Sequence, residues 1–113
     1  MERLNIEKTG RVCILRFSGE LTLEVVDKLK EETEQYLQTQ ECPILVLDLS
    51  QTMFLDSSGI GLLVNLNNKQ KEQNLEFYLL SPSPQVRKTL SLVKLIEFFN
   101  ILESEEDLQR LQA

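Results

Sequence analysis

The stretch Ile44-Leu45-Val46-Leu47-Asp48-Leu49 is almost unbroken in apolar side chains and follows Pro43. A run this short and apolar predicts a strand covered on both faces, hence a central strand of a sheet with helices packed on it. Beyond it, Asp56-Ser57-Ser58-Gly59 opens a stretch, Ile60 to Gln73, with Ile60, Leu63, Val64 and Leu66 at helical spacing. A carboxylate and two hydroxyls thus stand at a helix start just past a buried strand. In open α/β sheets that edge is where ligands and chemistry usually sit.

The rest of the chain fits around this junction. Leu4 to Glu7 and Val12 to Phe17 read as two strands joined through Gly10, with Cys13, Leu15 and Phe17 on one face and Ser18-Gly19 breaking the run. Thr22 is placed to cap a helix through its hydroxyl, and Val25, Val26, Leu29, Thr33, Tyr36 and Leu37 follow at helical spacing. The second helix turns polar through Asn67, Asn68, Lys69, Gln70 and Lys71. Gly59 and Gly61 are poor interior helix residues, which points to close approach of helix to sheet or of a partner to the loop. Leu75 to Leu80 is another strand, and Ser83-Pro84 supplies an N-cap and first helical residue for Val86, Leu90 and Val93. Phe98 to Leu102 is strand or irregular. Ser104 to Asp107 opens a last short helix with Leu108 and Leu111 inward. The order β-β-α-β-α-β-α-(β)-α predicts an α/β fold with a largely parallel or mixed sheet.

At 113 residues a single domain, 1–113, is expected, and its apolar share of 42% can furnish one core. The net charge of −6, from 12 basic and 18 acidic side chains, argues against nucleic acid and anionic membrane surfaces. Nothing approaches the ~20 apolar residues of a membrane span, and the first residues do not read as a signal peptide. Cys13 and Cys42 fit no metal or redox spacing and are expected as buried free thiols, which suggests a cytoplasmic protein. The chain has no histidine, so Ser-His-Asp and Cys-His catalysis, histidine phosphorelay and histidine-based zinc sites are excluded; no metal ligands are assigned.

The run Leu47-Asp48-Leu49-Ser50, Met53-Phe54-Leu55-Asp56-Ser57-Ser58-Gly59-Ile60-Gly61 resembles the anti-sigma-factor antagonists, the stand-alone bacterial members of the STAS domain family. Ser18-Gly19-Glu20-Leu21 and Ser83-Pro84 with Val86-Arg87-Lys88 extend the resemblance over most of the chain. It implies a small mixed sheet of four to five strands with about four helices packed mainly on one face. It also implies a function. The unphosphorylated protein binds an anti-sigma factor that is a serine kinase, freeing a sigma factor. The kinase phosphorylates the serine after the aspartate, here Ser57, and a phosphatase resets it. Two positions depart from the family: Thr22 stands where many antagonists carry an aspartate that helps engage the kinase, and Val93-Lys94 where a Ser-Gly pair is common.

Without the resemblance, Asp56 is an N-cap and both serines solvate the first turn. With it, Ser57 is the expected phosphoacceptor and Ser58 the second candidate. Thr22, Met53, Phe54, Asp56, Ser58, Gly59 and Gly61 are the expected partner-binding residues. Met53 and Phe54 also read as ordinary core packing. A hydrolase using Ser57 lacks a base, since no histidine exists and no lysine lies near the loop. No enzyme activity, cofactor or small-molecule substrate is expected, and no glycine-rich phosphate loop is seen. The other reading is a STAS subunit that is never phosphorylated and serves a larger assembly such as a transport system.

Overall fold

A computed structural model describes residues 2–112. Its elements are β1 (Arg3–Thr9), β2 (Val12–Leu21), α1 (Leu23–Thr39), β3 (Ile44–Leu55), α2 (Ser57–Glu72), β4 (Glu76–Leu80), α3 (Pro84–Leu92), a 3-10 turn at Ile96–Phe98, β5 (Asn100–Leu102) and α4 (Glu105–Gln112). The five strands form one sheet in the order β1-β2-β3-β4-β5. β1 runs antiparallel to β2, and the remaining pairs are parallel. The expected mixed α/β sheet is therefore observed, with β3 at its centre.

Alternation along the strands builds two cores. Cys13, Leu15, Phe17, Leu45, Leu47, Leu49, Phe77 and Leu79 face α1, α2 and α3, which contribute Val26, Leu29, Leu62, Leu63, Leu66, Val86 and Leu90. Val12, Ile14, Ile44, Val46, Leu80 and Leu102 face the other way and are closed by Leu108 of α4. Arg16 fastens that side: its guanidinium pairs with Glu7, with the buried Asp48 at 2.8 Å and with Glu105 of α4. These contacts, that to Glu105 foremost, hold its pKa above the ordinary arginine value.

Several expectations need correction. Ser18-Gly19 does not end β2; the strand absorbs two register shifts there, with Gly19 at φ +118, and continues to Leu21. β3 runs past Leu49 to Leu55. Asn67 and Gln70 are buried, Gln70 because its Nε2 donates to the carbonyls of Cys42 (3.0 Å) and Glu76 (2.9 Å). Val93 is exposed, since α3 ends at Leu92. Cys13 and Cys42 are not free thiols: they are joined in a disulfide, with Cα atoms 5.5 Å apart. The β2–β3 register causes this, because Cys13 sits opposite Leu45 and so beside the residues that lead into β3.

Lys94, which stands where a glycine is common in the family, occupies a position that favours one. It lies at φ +60 just past α3, where Lys94 N–H donates to Ser91 and Leu95 N–H to Leu90. That is the helix-ending pattern in which glycine is usual.

Candidate functional site

β3 outruns its neighbour. Pairing with β4 ends at Asp48–Leu80, so the segment from Leu49 to Leu55 has a strand partner only in β2. The start of α3 takes over on the open side. Ser83 N–H donates to the carbonyl of Leu49, and Ser83 Oγ donates to that of Thr52 at 2.6 Å. Thr52 Oγ1 in turn donates to the Phe17 carbonyl. Ser83 Oγ also caps α3, accepting from Val86 N–H. This buried chain holds the projecting end of β3, and Met53 and Phe54 stand on it 54% and 48% exposed. Their core-packing reading is overturned: no described strand or helix covers them at that end.

Asp56 follows as the N-cap of α2, its Oδ1 accepting from Gly59 N–H at 3.0 Å. Its Oδ2 accepts from Leu23 N–H, also at 3.0 Å, at the first residue of α1. One carboxylate therefore satisfies free amides at the starts of two helices. The amide of Gly59, then that of Leu23, holds the Asp56 carboxyl below the usual aspartate range. Thr22 occupies the N-cap position of α1 as expected, but its hydroxyl makes no capping bond. Asp56, reaching across from α2, does that work.

Gly59 permits the approach. A Cβ there would lie 2.4 Å from the Leu21 carbonyl oxygen and 3.0 Å from Leu55 Cβ. Gly61 is different: it is exposed, and a Cβ would meet nothing within 4 Å, so close helix-to-sheet packing does not explain it.

Ser57, the first residue of α2, is exposed, and Ser58 is half-buried. No described residue hydrogen-bonds the Ser57 hydroxyl. The structure thus gathers Thr22, Met53, Phe54, Asp56, Ser57, Ser58 and Gly59 at one edge of the sheet. It adds Leu23, 65% exposed, which the sequence reading missed. The available signal was a leucine at the first position of a helix whose buried series is Val26, Leu29 and Thr33. The starts of α1 and α2 bring two positive helix ends together here, and apolar side chains flank an unengaged hydroxyl. Such a surface suits a protein partner and tolerates added negative charge at the serine.

No group of three His, Cys, Asp or Glu among the described residues could hold a metal, and no described helix is long and apolar enough to cross a membrane.

The STAS domain family model matches residues 3–108. The anti-sigma F factor antagonist of Paenibacillus polymyxa is 26% identical over 103 residues, covering 91% of this chain and 88% of that protein. The anti-sigma-B factor antagonist of Staphylococcus aureus is 27% identical over 105 residues, covering 91% and 96%. The fold is also that of the phosphorylated Bacillus cell fate determinant SpoIIAA, with a TM-score of 0.74 at 23% identity over 96% of this chain and 99% of that one.

Proposed function

The chain belongs to the STAS domain family, and on that premise we propose that it is an anti-sigma-factor antagonist switched by phosphorylation of Ser57. Its unphosphorylated form binds an anti-sigma factor that is also a serine kinase, and a sigma factor is freed. Phosphate transfer from ATP to Ser57 ends the complex, and a phosphatase restores it. The protein acts as one domain and as a regulator rather than an enzyme; a cytoplasmic place rests on the antagonist relatives alone, since the Cys13–Cys42 disulfide removes the free-thiol argument for it.

The observation that carries this is the placement of Ser57. It is exposed, uncommitted and flanked by Leu23, Met53 and Phe54, while the carboxylate beside it is fully engaged in holding two helix starts. The antagonist names borne by the relatives support the reading. Phosphate would add about −1.5 to −2 charges. The fold can accept them, because the amides nearest to Ser57 belong to a helix N-terminus. The partner's apolar contact cannot, because the new charge would have to be desolvated beside Asp56. The switch is thus a loss of binding with the fold intact.

Thr22 enters this account as a residue of the contact surface. Asp56 accepts from the first amide of α1, and Thr22 brings no charge to the surface where many antagonists carry an aspartate.

A pull-down from the native cell's lysate with ADP present tests the proposal. Wild type should retain a kinase-type anti-sigma factor, and Ser57→Asp should not. Retention of the same protein by both, or recovery of transport subunits, would replace the switch with the reading of an unphosphorylated subunit in a larger assembly.

A further inference from the structure

At the opposite edge of the sheet lies a feature that the partner switch does not use. The ends of α1 and α2 and the segment leading into β3 enclose an open groove of about 830 Å³. Cys42 lines it; Cys13 does not. Cys13 is wholly buried and Cys42 is 5% exposed. We propose that the Cys13–Cys42 disulfide is a thiol–disulfide exchange site, entered through this groove at Cys42 and selective for cationic over anionic low-molecular-weight thiols. The proposal is independent of the role of Ser57.

The direction of attack follows from burial. An incoming thiolate reaches the Cys42 sulfur from the groove and forms a new S–S bond with it. The Cys13–Cys42 bond breaks, and its electron pair leaves on the Cys13 sulfur, which takes up a proton from water. That thiol has an acceptor in place, since the Cys13 sulfur lies 3.8 Å from the Glu41 carbonyl oxygen. A second small thiolate then attacks the small partner's sulfur in the mixed disulfide and releases Cys42 as a thiolate. In sum, two small thiols become one small disulfide, and the protein disulfide becomes two thiols. A small disulfide drives the same steps in reverse.

Selectivity follows from charge. Glu34, Glu41 and Glu72 line the groove with one base, Lys69, which is paired with Glu34 at 2.8 Å; a second, Lys8, reaches only its rim, where its ammonium donates to Gln40. The carbonyl ends of α1 and α2 add partial negative charge there. An anionic thiol is repelled and a cationic one is drawn in.

Breaking the bond has a bounded mechanical effect. The Cys42 carbonyl stays held by Gln70 of α2, so only the tether to β2 is lost. The end of α1 and the loop after it, residues 38–43, should loosen, while the Asp56–Ser57 junction keeps its geometry.

The test uses the full chain, oxidised with cystamine and kept in native buffer. Its reduction is followed by mass spectrometry with cysteamine, mercaptoethanol or mercaptopropionate at equal thiolate concentration, each rate taken relative to that thiol's rate on a small neutral disulfide, which removes differences in intrinsic nucleophilicity. Cysteamine should act about fivefold faster than mercaptopropionate, and the gap should close at high salt. Cystamine should form a mixed disulfide on Cys42 in Cys13→Ser and leave Cys13 unlabelled in Cys42→Ser. Amide exchange should quicken on reduction at 38–43 and stay unchanged at 55–60. Equal rates for all three thiols, reduction only in denaturant, preferential labelling of Cys13, or failure of the disulfide to form would overturn the proposal. If a serine variant does not fold, the wild-type rate series decides alone.

Discussion

Two serines stand at helix starts on the same edge of the sheet, and they are used in opposite ways. Ser83 is 6% exposed and fully committed: it accepts from Val86 N–H, donates to the Thr52 carbonyl and holds the end of β3. Ser57 is exposed and leaves the capping to Asp56. A hydroxyl at a helix N-terminus therefore carries no function by itself. What separates a structural serine from a candidate switch is whether the strand end beside it needs support. β3 outruns β4 on the side of Ser83, and α3 must fill the gap; on the side of Ser57 the carboxylate leaves the hydroxyl free.

The strongest way to break the contrast is to push the Ser57 junction apart. Gly59→Ala places a methyl against the Leu21 backbone, and we expect it to cost about 3 kcal/mol in urea denaturation. Gly61→Ala, one turn-face away with open space around it, should gain about 0.5 kcal/mol. Equal effects at the two glycines would contradict the close approach of α2 to β2.

Ser83→Ala should cost about 2 kcal/mol, from a lost cap and an unsatisfied buried carbonyl at Thr52. It should also quicken amide exchange at 52–55 and weaken partner binding through Met53 and Phe54. Lys94→Gly, at the far end of the same helix, should gain about 1 kcal/mol by relieving the left-handed backbone, with no change in binding. Ser57→Ala should shift stability by no more than about 0.5 kcal/mol, while removing the phosphoacceptor.

Acid sharpens the comparison further. The folded-state pKa of Asp56 is depressed by the Gly59 and Leu23 amides, so its stabilising contribution is complete above the unfolded value of ~3.9. It is lost as pH falls through the lower folded value. The stability difference between wild type and Asp56→Asn should be flat at neutral pH and shrink in that acid range. A difference that grew on acidification would show that the carboxylate does not hold the two helix starts in its charged form.

The Asp56–Ser57 junction was legible because its signals are local: an apolar run, a capping carboxylate, hydroxyls, then helical spacing. The same holds for the Ser83-Pro84 start and for the mixed sheet. What escaped the sequence depends on how strands of different length sit beside each other. Met53 and Phe54 read as core because nothing local says that β4 stops at Leu80. The disulfide was hidden because only the β2–β3 register brings Cys13 to Cys42 across 29 residues. Gln70 read as a solvated face because its two carbonyl partners come from outside its helix. Asp56, not the Thr22 hydroxyl, accepts at the start of α1, through a contact between residues 33 apart in the chain.

The most direct test of the central claim is to map phosphate on the protein after incubation with native lysate and ATP, in wild type, Ser57→Ala and Ser83→Ala, by peptide mass spectrometry. The account predicts phosphate on Ser57 in wild type and in Ser83→Ala, and none in Ser57→Ala. Phosphate on Ser58 or Ser83 in wild type, or an unmodified Ser57 beside a lysate kinase that binds the protein, would contradict it.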